Sequence, residues 1–469
     1  MAAGISIGAW LLLFIPIVIL TYRLRSLKEE ANKQEEPDER SIERIGYVQN
    51  LIYTAIIVMA LIGVAVLFFL LKGTIYESHL KDWLNLTVRL MHITFGIAWI
   101  GASFYFVFLE NSLNKTENLR DELTGNLWAI HGGGFYYLEK YKLAPKTIPK
   151  DLHWFKYEAY FTWLTGFSLL IVVYYFNAKS YLIDQAVLDI APGLAIAFGI
   201  VSLFFGWLVY DILCKKLIKK PTLFAVIGGL FLIGFAWVYA HVFSGRAAYI
   251  HFGALLGTIM AANVFFVIIP GQKAMVASAK KGLPPNPRHA IAAGMRSRHN
   301  NYFTFPVLFV MISNHFPTTF GNEQQWIVLI AISIGLAGIK HYMNLREQKK
   351  VSFYIMPVSV LLLFAVAFYT APKSDKAKCT YDVTFQEITT IINNKCVVCH
   401  SDEPKDDIWK VAPKGVMFNT AEDIFNHKDA IYQQVVVSKA MPFNNNQTNI
   451  TEEERSLIEC WILMGAKTE

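Results

Sequence analysis

The apolar positions of this chain gather into ten long runs that polar segments separate. A helix needs roughly 20 largely apolar residues to cross a bilayer, and most of these runs approach that length. The runs are residues 5–22, 47–71, 84–109, 157–176, 189–209, 221–241, 247–269, 298–316, 325–342 and 353–370. The pattern predicts an all-α fold, a polytopic bundle of about 8–10 transmembrane helices. Pro306 should kink the eighth run.

The end of the chain has the pattern of a small soluble domain. We predict an integral membrane domain over residues 1–372, a linker over 373–383 and a soluble domain over 384–469 with three or four short helices. Thr451 and Glu454 form a capping-box pattern that opens the last helix. The apolar stripe of that helix consists of Leu457, Ile458, Trp461 and Ile462.

Composition and charge also indicate how the chain is oriented in the membrane. Hydrophobic residues make up 54% of the chain and charged residues 17%, a balance that favours a membrane protein. Alternate loops between the runs hold 25 Lys and Arg residues, and the other loops hold 4. The basic loops are expected in the cytoplasm. The net charge of +7 is therefore a topology signal and does not indicate nucleic-acid binding.

The same count places both ends of the chain outside the cytoplasm. The first run has no basic residue before it and no small-residue cleavage site after it, so we expect a retained spanning helix and not a signal peptide. Ten spans from an outside start also end outside. The sequence thus predicts the inner membrane of a bacterium, with the C-terminal domain in the periplasm.

One motif in the soluble domain carries clear chemistry. Cys396-Val397-Val398-Cys399-His400 fits the covalent haem c signature, in which two thiols bond the haem vinyl groups and the adjacent histidine ligates iron. A redox Cys-x-x-Cys or half a zinc site is the rival interpretation. No second Cys pair exists for zinc, and no thioredoxin-like strand pattern surrounds the motif. We therefore predict a class I-like cytochrome c domain.

The sixth iron ligand is expected on the other side of the haem. Met441 is the favoured candidate, because it lies in a polar loop just before the capped last helix and a thioether suits an electron acceptor. Met417 and His427 are the alternatives. Cys379 and Cys460 could form a disulfide between the linker and the last helix, which the sequence leaves open.

Polar side chains in and beside the predicted spans form two groups, which are functional candidates because an unpaired polar group is costly in a bilayer. The group near the outer ends contains Arg89, His92, His241, His251, Asn314 and His315. The group near the inner ends contains His131, His153, Lys156, Glu158, His299, Asn300 and Asn301. Histidines at matching depth can ligate a haem b, and His92, His251 and His315 are similarly placed. Hydrogen bonds to loop carbonyls are the structural alternative.

An aromatic segment lies in one of the predicted cytoplasmic loops. Residues 127–138 are too few to span the bilayer, so we expect this segment to lie in the membrane interface or to re-enter. It contains His131 followed by Gly132-Gly133-Gly134. Three glycines permit either close backbone approach to a flat ligand or tight packing of two helices.

Several of these segments resemble the bacterial cytochrome c-linked membrane urate hydroxylases, which join an integral membrane region to a cytochrome c domain. The resemblance rests on Arg89–His92, Gly96–Phe106, His131–Tyr136, His153–Lys156, Glu158–Tyr160, His299–Asn300, Tyr302–Thr304 and Ser313–His315. These segments occur in the same order and cover most of the chain. Leu90 and Glu110 stand where Trp and Asp are expected in relatives.

The resemblance implies oxidation of urate to 5-hydroxyisourate with water as the oxygen source. Electrons would leave through haem c to an external acceptor such as a soluble cytochrome c or an oxidase. The candidate catalytic residues are His92, His131, His299, Arg89, Lys156 and Glu158. A histidine would deprotonate urate or water, Arg89 or Lys156 would hold the substrate oxygens, and Glu158 would tune a neighbouring base.

The side of the membrane that holds the substrate stays open at this point. A site at the inner ends requires electrons to cross a core about 30 Å thick, and therefore a second carrier such as haem b. Two other functions are also compatible with the sequence. One is a b- and c-type protein that oxidises quinol or another small molecule. The other is a haem c sensor or assembly subunit without catalysis.

Overall fold

The computed structural model describes residues 14–31, 39–72, 74–115, 119–149, 151–350, 352–371, 379, 383–406, 409, 411–443 and 448–468. The start of the first predicted span, most of the linker predicted over 373–383 and part of the polar run 444–449 lie outside these residues. The chain divides into two units, Met1–Thr87 and Val88–Glu469. In the first unit, α1 (Phe14–Ala31) packs along α2 (Glu39–Leu71).

The second unit contains the rest of a long helix, α3 (Ile75–Ser112), and the elements that follow it. The helices of its membrane part are α4 (Tyr157–Leu169), α5 (Ala178–Tyr181), α6 (Pro192–Leu217), α7 (Pro221–Val242), α8 (Gly245–Ala262), α9 (Ile269–Lys280), α10 (Pro287–Ser313), α11 (Pro317–Phe320), α12 (Gln325–Glu347) and α13 (Ile355–Tyr369). π-Helical turns extend α4 over Leu170–Tyr175 and join α8 to α9 over Asn263–Ile268.

Five helices in the described chain are long and apolar enough to cross a membrane. They are His79–Ser112, Pro192–Leu217, Pro221–Val242, Gly245–Lys280 and Gln325–Glu347. The other predicted spans are also helical where the structure describes them. The protein is therefore a mostly helical chain with several candidate spans, and the full ten-span topology stays a prediction.

A β-hairpin departs from the predicted all-α fold. β1 (Leu123–His131) pairs antiparallel with β2 (Gly134–Tyr141), and Gly132 and Gly133 form the two-residue turn. Both turn glycines have positive φ, +58° and +81°, the conformation that tight hairpin turns need and that glycine adopts without strain. The glycines thus turn a hairpin, and the segment is not helical.

The C-terminal part of the chain is helical, as predicted. Its helices are α14 (Phe385–Lys395), α15 (Ala421–Asn426), α16 (Lys428–Ile431) and α17 (Glu452–Leu463). The predicted capping box at α17 is confirmed, because Thr451 and Glu454 each bond the other's backbone N–H. Ile458 and Trp461 of the predicted stripe are buried. The pairing that the sequence left open, Cys379 with Cys460, is present as a disulfide.

Candidate functional site

A cavity with a volume of about 560 Å³ lies between α3, the segment that follows the hairpin, α4, the α8–α9 helix and α10. We call it the Glu158 cavity. Its aromatic lining residues are Trp99, Phe106, Trp154 and Phe155. Its polar lining residues are Ser103, His153, Glu158, Gln272, Ser297, Asn300 and Thr304. Flat apolar walls with a few convergent polar groups are typical of a small-molecule site.

Glu158 stands out among the lining residues. It lies in the first turn of α4, where a helix favours negative charge. Its Oε2 atom is buried and has no hydrogen-bond partner among the residues that the structure describes. Burial of an unpaired carboxylate oxygen is costly, so such a group in a native fold calls for an explanation such as a bound ligand. Of the six predicted catalytic residues, Glu158 is the one that lines this cavity.

A buried chain of polar side chains fixes the amide of Asn300 at the cavity wall. Asn300 Oδ1 accepts a hydrogen bond of 2.9 Å from Asn263, and its Nδ2 donates to the Met260 carbonyl at 3.0 Å. Asn263 Oδ1 accepts from Arg296 at 3.1 Å, and Arg296 pairs with Asp211 at 2.6 Å. We call Asp211, Arg296, Asn263 and Asn300 the Arg296 network. It orients an amide that has capacity left for a ligand.

A second buried cation lies near the cavity wall. Lys340 is 1% exposed, and its Nζ lies 4.0 Å from the centre of the Phe104 ring and 5.9 Å from that of Phe305. These phenylalanines neighbour Ser103 and Thr304, which line the cavity. A buried ammonium on an aromatic face contributes positive potential to its surroundings.

Sequence reasoning did not single out these buried charged groups. Lys340 falls inside a predicted span, so the rule applied to the histidines would have found it. Asp211 and Arg296 were assigned to loops, because one apolar run ends just before Asp211 and another begins just after Arg296. In the structure the helices continue past the apolar runs and bury both side chains.

Three predicted residues, Lys156, His299 and Asn300, are close in the chain to other residues that line the cavity, but their side chains lie in different places. Lys156 lies just before α4, with its Nζ over the Tyr157 ring at 4.7 Å. His299 stacks on Phe224 and accepts from the Tyr210 hydroxyl at 2.8 Å. Successive residues of a helix point about 100° apart, which is why Asn300 lines the cavity and His299 faces another helix.

The remaining predicted residues lie elsewhere. His92 Nδ1 donates to the Thr162 carbonyl at 3.0 Å and so joins α3 to α4. Arg89 is exposed on α3, one turn earlier. His131 ends β1 and is exposed, in a surface recess that Trp128 and other aromatic side chains line.

His251, a predicted haem b ligand, lies in a packed aromatic cluster. Its Nδ1 donates to the Ala247 carbonyl at 2.8 Å, and its Nε2 lies 3.2 Å from the Tyr175 hydroxyl. Its ring also contacts Tyr174, Tyr239 and Phe243. We call these five residues the His251 cluster. Both ring nitrogens are engaged, so this geometry does not fit an iron ligand, and we derive no step through a haem b.

The haem c motif lies at the end of α14, in a conformation that fits the group. His400 Nδ1 donates to the Val416 carbonyl at 2.9 Å, which fixes the tautomer and leaves Nε2 as an iron ligand. Burial lowers the pKa of His400, so the ring is neutral at pH 7. Cys396 and Cys399 are free thiols, and burial raises the pKa of each to about 12.

Met441 is placed better than its rivals for the sixth ligand. It packs against the apolar core that contains Cys396. Its backbone is held on both sides, since its N–H donates to Gln434 at 2.9 Å and its carbonyl accepts from Arg455 at 2.9 Å. Met417 is 39% exposed, and His427 Nδ1 donates to the Asp423 carbonyl at 2.8 Å. The donor set Cys396, Cys399, His400 and Met441 is therefore consistent with haem c.

Comparison with protein-family models gives a match for the membrane region. Residues 78–371 match the model described as Urate oxidase N-terminal. The matched range contains every residue that lines the Glu158 cavity and ends before the haem c motif. Neither the curated proteins nor the solved structures gave a match to the chain.

Proposed function

The chain belongs to the urate oxidase N-terminal family, and from this premise we propose that it is a membrane-bound urate hydroxylase linked to haem c. The observation that carries the proposal is that the family match contains the whole lining of the Glu158 cavity. The predicted family resemblance is thereby confirmed for the membrane region, and a urate-related oxidoreductase role follows from it. The reaction and the haem are our proposal.

The cavity suits a flat purine anion. Trp99 and Trp154 offer ring faces for stacking, and the Asn300 amide offers hydrogen bonds to ring nitrogen and carbonyl groups. The segment that covers the cavity carries the exposed basic residues Lys142 and Lys146. Their charge would raise the local concentration of an anionic substrate. Lys340 near the wall would stabilise the anion once it is bound.

Glu158 is the residue to which we assign proton transfer. Urate and one water molecule become 5-hydroxyisourate, two protons and two electrons. A base within the cavity must therefore accept a proton from urate or from the attacking water. The buried, unpartnered Oε2 atom of Glu158 is available for this. The Arg296 network would hold the substrate at Asn300 while the proton moves.

Electrons would leave through the C-terminal domain. When bound, haem c accepts one electron at a time, so each turnover needs two successive transfers. Cys396 and Cys399 would attach the group, and His400 and Met441 would ligate its iron. The Cys379–Cys460 disulfide supports an oxidising compartment for this domain, as the periplasmic location requires. A soluble cytochrome c or an oxidase would be the external acceptor.

The distance between the two sites sets a requirement on the electron path. Helix α8 extends from Arg246, beside the C-terminal domain, to Met260 at the cavity. These fourteen positions correspond to about 21 Å of helix. A relay is therefore needed between substrate and haem c. The haem b predicted from His92, His251 and His315 stays a prediction, which a reduced-minus-oxidised spectrum of the purified protein tests.

Addition of urate to the purified, oxidised protein tests the proposed function. We expect the c haem to become reduced and 5-hydroxyisourate to form, with oxygen from labelled water in the product. The matched control is Glu158→Gln, whose haem should be reduced by ascorbate but not by urate. Reduction by quinols alone would identify a quinol-oxidising protein instead. No reduction by either would indicate a haem c sensor or assembly subunit.

A further inference from the structure

An aromatic contact joins the C-terminal domain to the membrane helices of the second unit. The Phe443 ring lies 4.8 Å from the Tyr181 ring, centre to centre, and the Arg246 guanidinium lies 5.0 Å from the Phe443 ring. Arg246 also lies 5.8 Å from the Phe320 ring. We call Tyr181, Arg246, Phe320 and Phe443 the Phe443 junction. Phe443 thus contacts residues at two helix ends, and Arg246 connects it to Phe320 at a third.

The membrane side of the junction is held firmly. The Ser244 hydroxyl donates to the Tyr181 carbonyl at 2.9 Å, and the Ser244 N–H donates to the Leu182 carbonyl at 3.0 Å. Ser244 is also the N-cap of α8, so the Tyr181 backbone is tied to the start of the helix that carries Arg246. The Tyr249 hydroxyl holds α11 by donating to the Thr319 carbonyl at 2.9 Å.

A second contact lies on the other side of Met441 in the chain. The Gly321 backbone approaches the Ser438 carbonyl so closely that a β-carbon at Gly321 would overlap it. Glycine is therefore required there by space. Ser438 and Phe443 flank Met441, so the membrane helices contact the loop of the expected axial ligand at two points.

Inside the membrane region the ring contacts continue from the junction. Tyr181 packs against Tyr174 with ring centres 6.0 Å apart, and Tyr174 lies 6.5 Å from the His251 ring. In the C-terminal domain, Arg455 donates to the Met441 carbonyl at 2.9 Å and so anchors the loop that carries Met441 to α17. A row of packed rings therefore leads from the helices to a residue two positions from Met441.

We propose that the Phe443 junction is the electron-entry contact through which the membrane helices reduce the C-terminal haem. The inference rests on the proposed function, in which urate loses two electrons and two protons per turnover. At the junction one electron at a time would pass to ferric haem c, giving ferrous haem. The external acceptor would then reoxidise the haem at a surface away from the junction.

Replacement of Phe443 by Leu, which keeps apolar volume but removes the ring, tests this inference in the haem-loaded protein. We expect urate-driven haem reduction to slow about tenfold, since a small displacement at a contact of this kind is enough for such a loss. Reduction by ascorbate should be unchanged. Hydrogen exchange of residues 317–321 and 438–443 should become faster, a readout that does not depend on turnover.

Phe425→Leu is the matched control, because Phe425 also lies under a cation, Lys428 of its own domain at 4.1 Å. It should leave urate-driven reduction and exchange at the junction unchanged. Gly321→Ala is a second junction variant that leaves the three rings and the guanidinium in place, with Gly257→Ala, which has open space around it, as its control. Gly321→Ala should slow urate-driven reduction as Phe443→Leu does.

Two results would separate the possible failures. Faster exchange at the junction with unchanged urate-driven reduction would overturn the inference, because the contact would then be structural. A wild-type haem that ascorbate reduces and urate does not would instead overturn the proposed function. Slower reduction by urate in both junction variants, with both controls normal, would establish the junction as the entry contact.

Discussion

The Glu158 cavity and the His251 cluster are two polar regions inside the same set of helices, and they differ in how their polar atoms are satisfied. In the His251 cluster both imidazole nitrogens have partners, and the hydroxyls of Tyr174, Tyr175 and Tyr239 have them too. In the cavity, Glu158 Oε2 is buried without a partner beside open space. From sequence alone, the two regions were equally good candidates.

This difference distinguishes buried polar groups that stabilise the fold from buried polar groups that serve the function. A buried polar group whose hydrogen bonds are all made within the fold stabilises one arrangement of helices. A buried carboxylate oxygen without a partner lowers stability unless something else satisfies it. A cavity beside such an atom provides the room for that partner. We therefore expect substitutions in the cavity to affect chemistry and loss of the hydrogen bonds of the His251 cluster to affect stability.

The largest effect is expected for Glu158→Gln. It removes the proposed base at nearly constant volume, so kcat with urate should fall by about a thousandfold. The melting temperature in detergent should stay close to the wild-type value, because the substitution keeps the volume and breaks no hydrogen bond of Glu158 Oε2 among the described residues. Steady-state kinetics and thermal unfolding of the same preparation measure the two quantities. Retention of more than a tenth of wild-type kcat would remove Glu158 from the mechanism.

Arg296→Met should have the next largest effect, on the free energy of unfolding. It leaves the buried Asp211 carboxylate with the exposed Lys215 ammonium in place of its buried partner, at a cost of about 3 kcal/mol. The double variant Arg296→Met with Asp211→Leu should recover most of the loss. Lys215→Met is the matched control, because Lys215 pairs with the same carboxylate but is 71% exposed.

Arg296→Met also tests the cavity side of the comparison. Loss of the Arg296 guanidinium would free the Asn263 side chain and, through it, the Asn300 amide. KM for urate should therefore rise, while haem reduction by ascorbate is unchanged. Denaturant unfolding and urate kinetics test both parts. A destabilised variant with wild-type KM would show that the Arg296 network is structural and that Asn300 does not orient the substrate.

Sequence reasoning identified the features of this molecule that depend on neighbouring residues in the chain. The apolar runs predicted helices, and Thr451 with Glu454 predicted a capping box that the structure contains. The hairpin was missed because its strands are apolar on both faces near the turn, which hides the two-residue period.

The candidate site depends on contacts between distant segments, which no local pattern contains. Glu158 was named in advance as a group that tunes a base, and the cavity makes it the proposed base itself. Arg296 and Asp211 meet across 85 positions, and the apolar pattern assigned both to loops. His251 looked like a ligand, since a sequence cannot show that both of its ring nitrogens already have partners.

Tyr175→Phe tests the structural side of the comparison with a smaller expected effect. The ring stays, but His251 Nε2 loses the hydroxyl that lies 3.2 Å away and becomes a buried acceptor without a donor. We expect a loss of about 1–2 kcal/mol in the free energy of unfolding. Urate-dependent kcat per folded molecule should stay at the wild-type value. A large loss of kcat without a loss of stability would show that the His251 cluster takes part in the reaction and is not only structural.

The smallest effect is expected for His131→Ala, which tests whether the catalytic base lies in the hairpin or in the cavity. His131 was a candidate base, but it is exposed at the end of β1, and its backbone pairs with Gly134 across the turn. Because that pairing uses the main chain, the substitution should change the free energy of unfolding by less than about 0.5 kcal/mol. Urate-dependent kcat should change less than about twofold, against the large loss from Glu158→Gln. Kinetics of the two variants measured in parallel decide which residue is the base. A fall in kcat for His131→Ala as large as the fall for Glu158→Gln would place the chemistry at the hairpin.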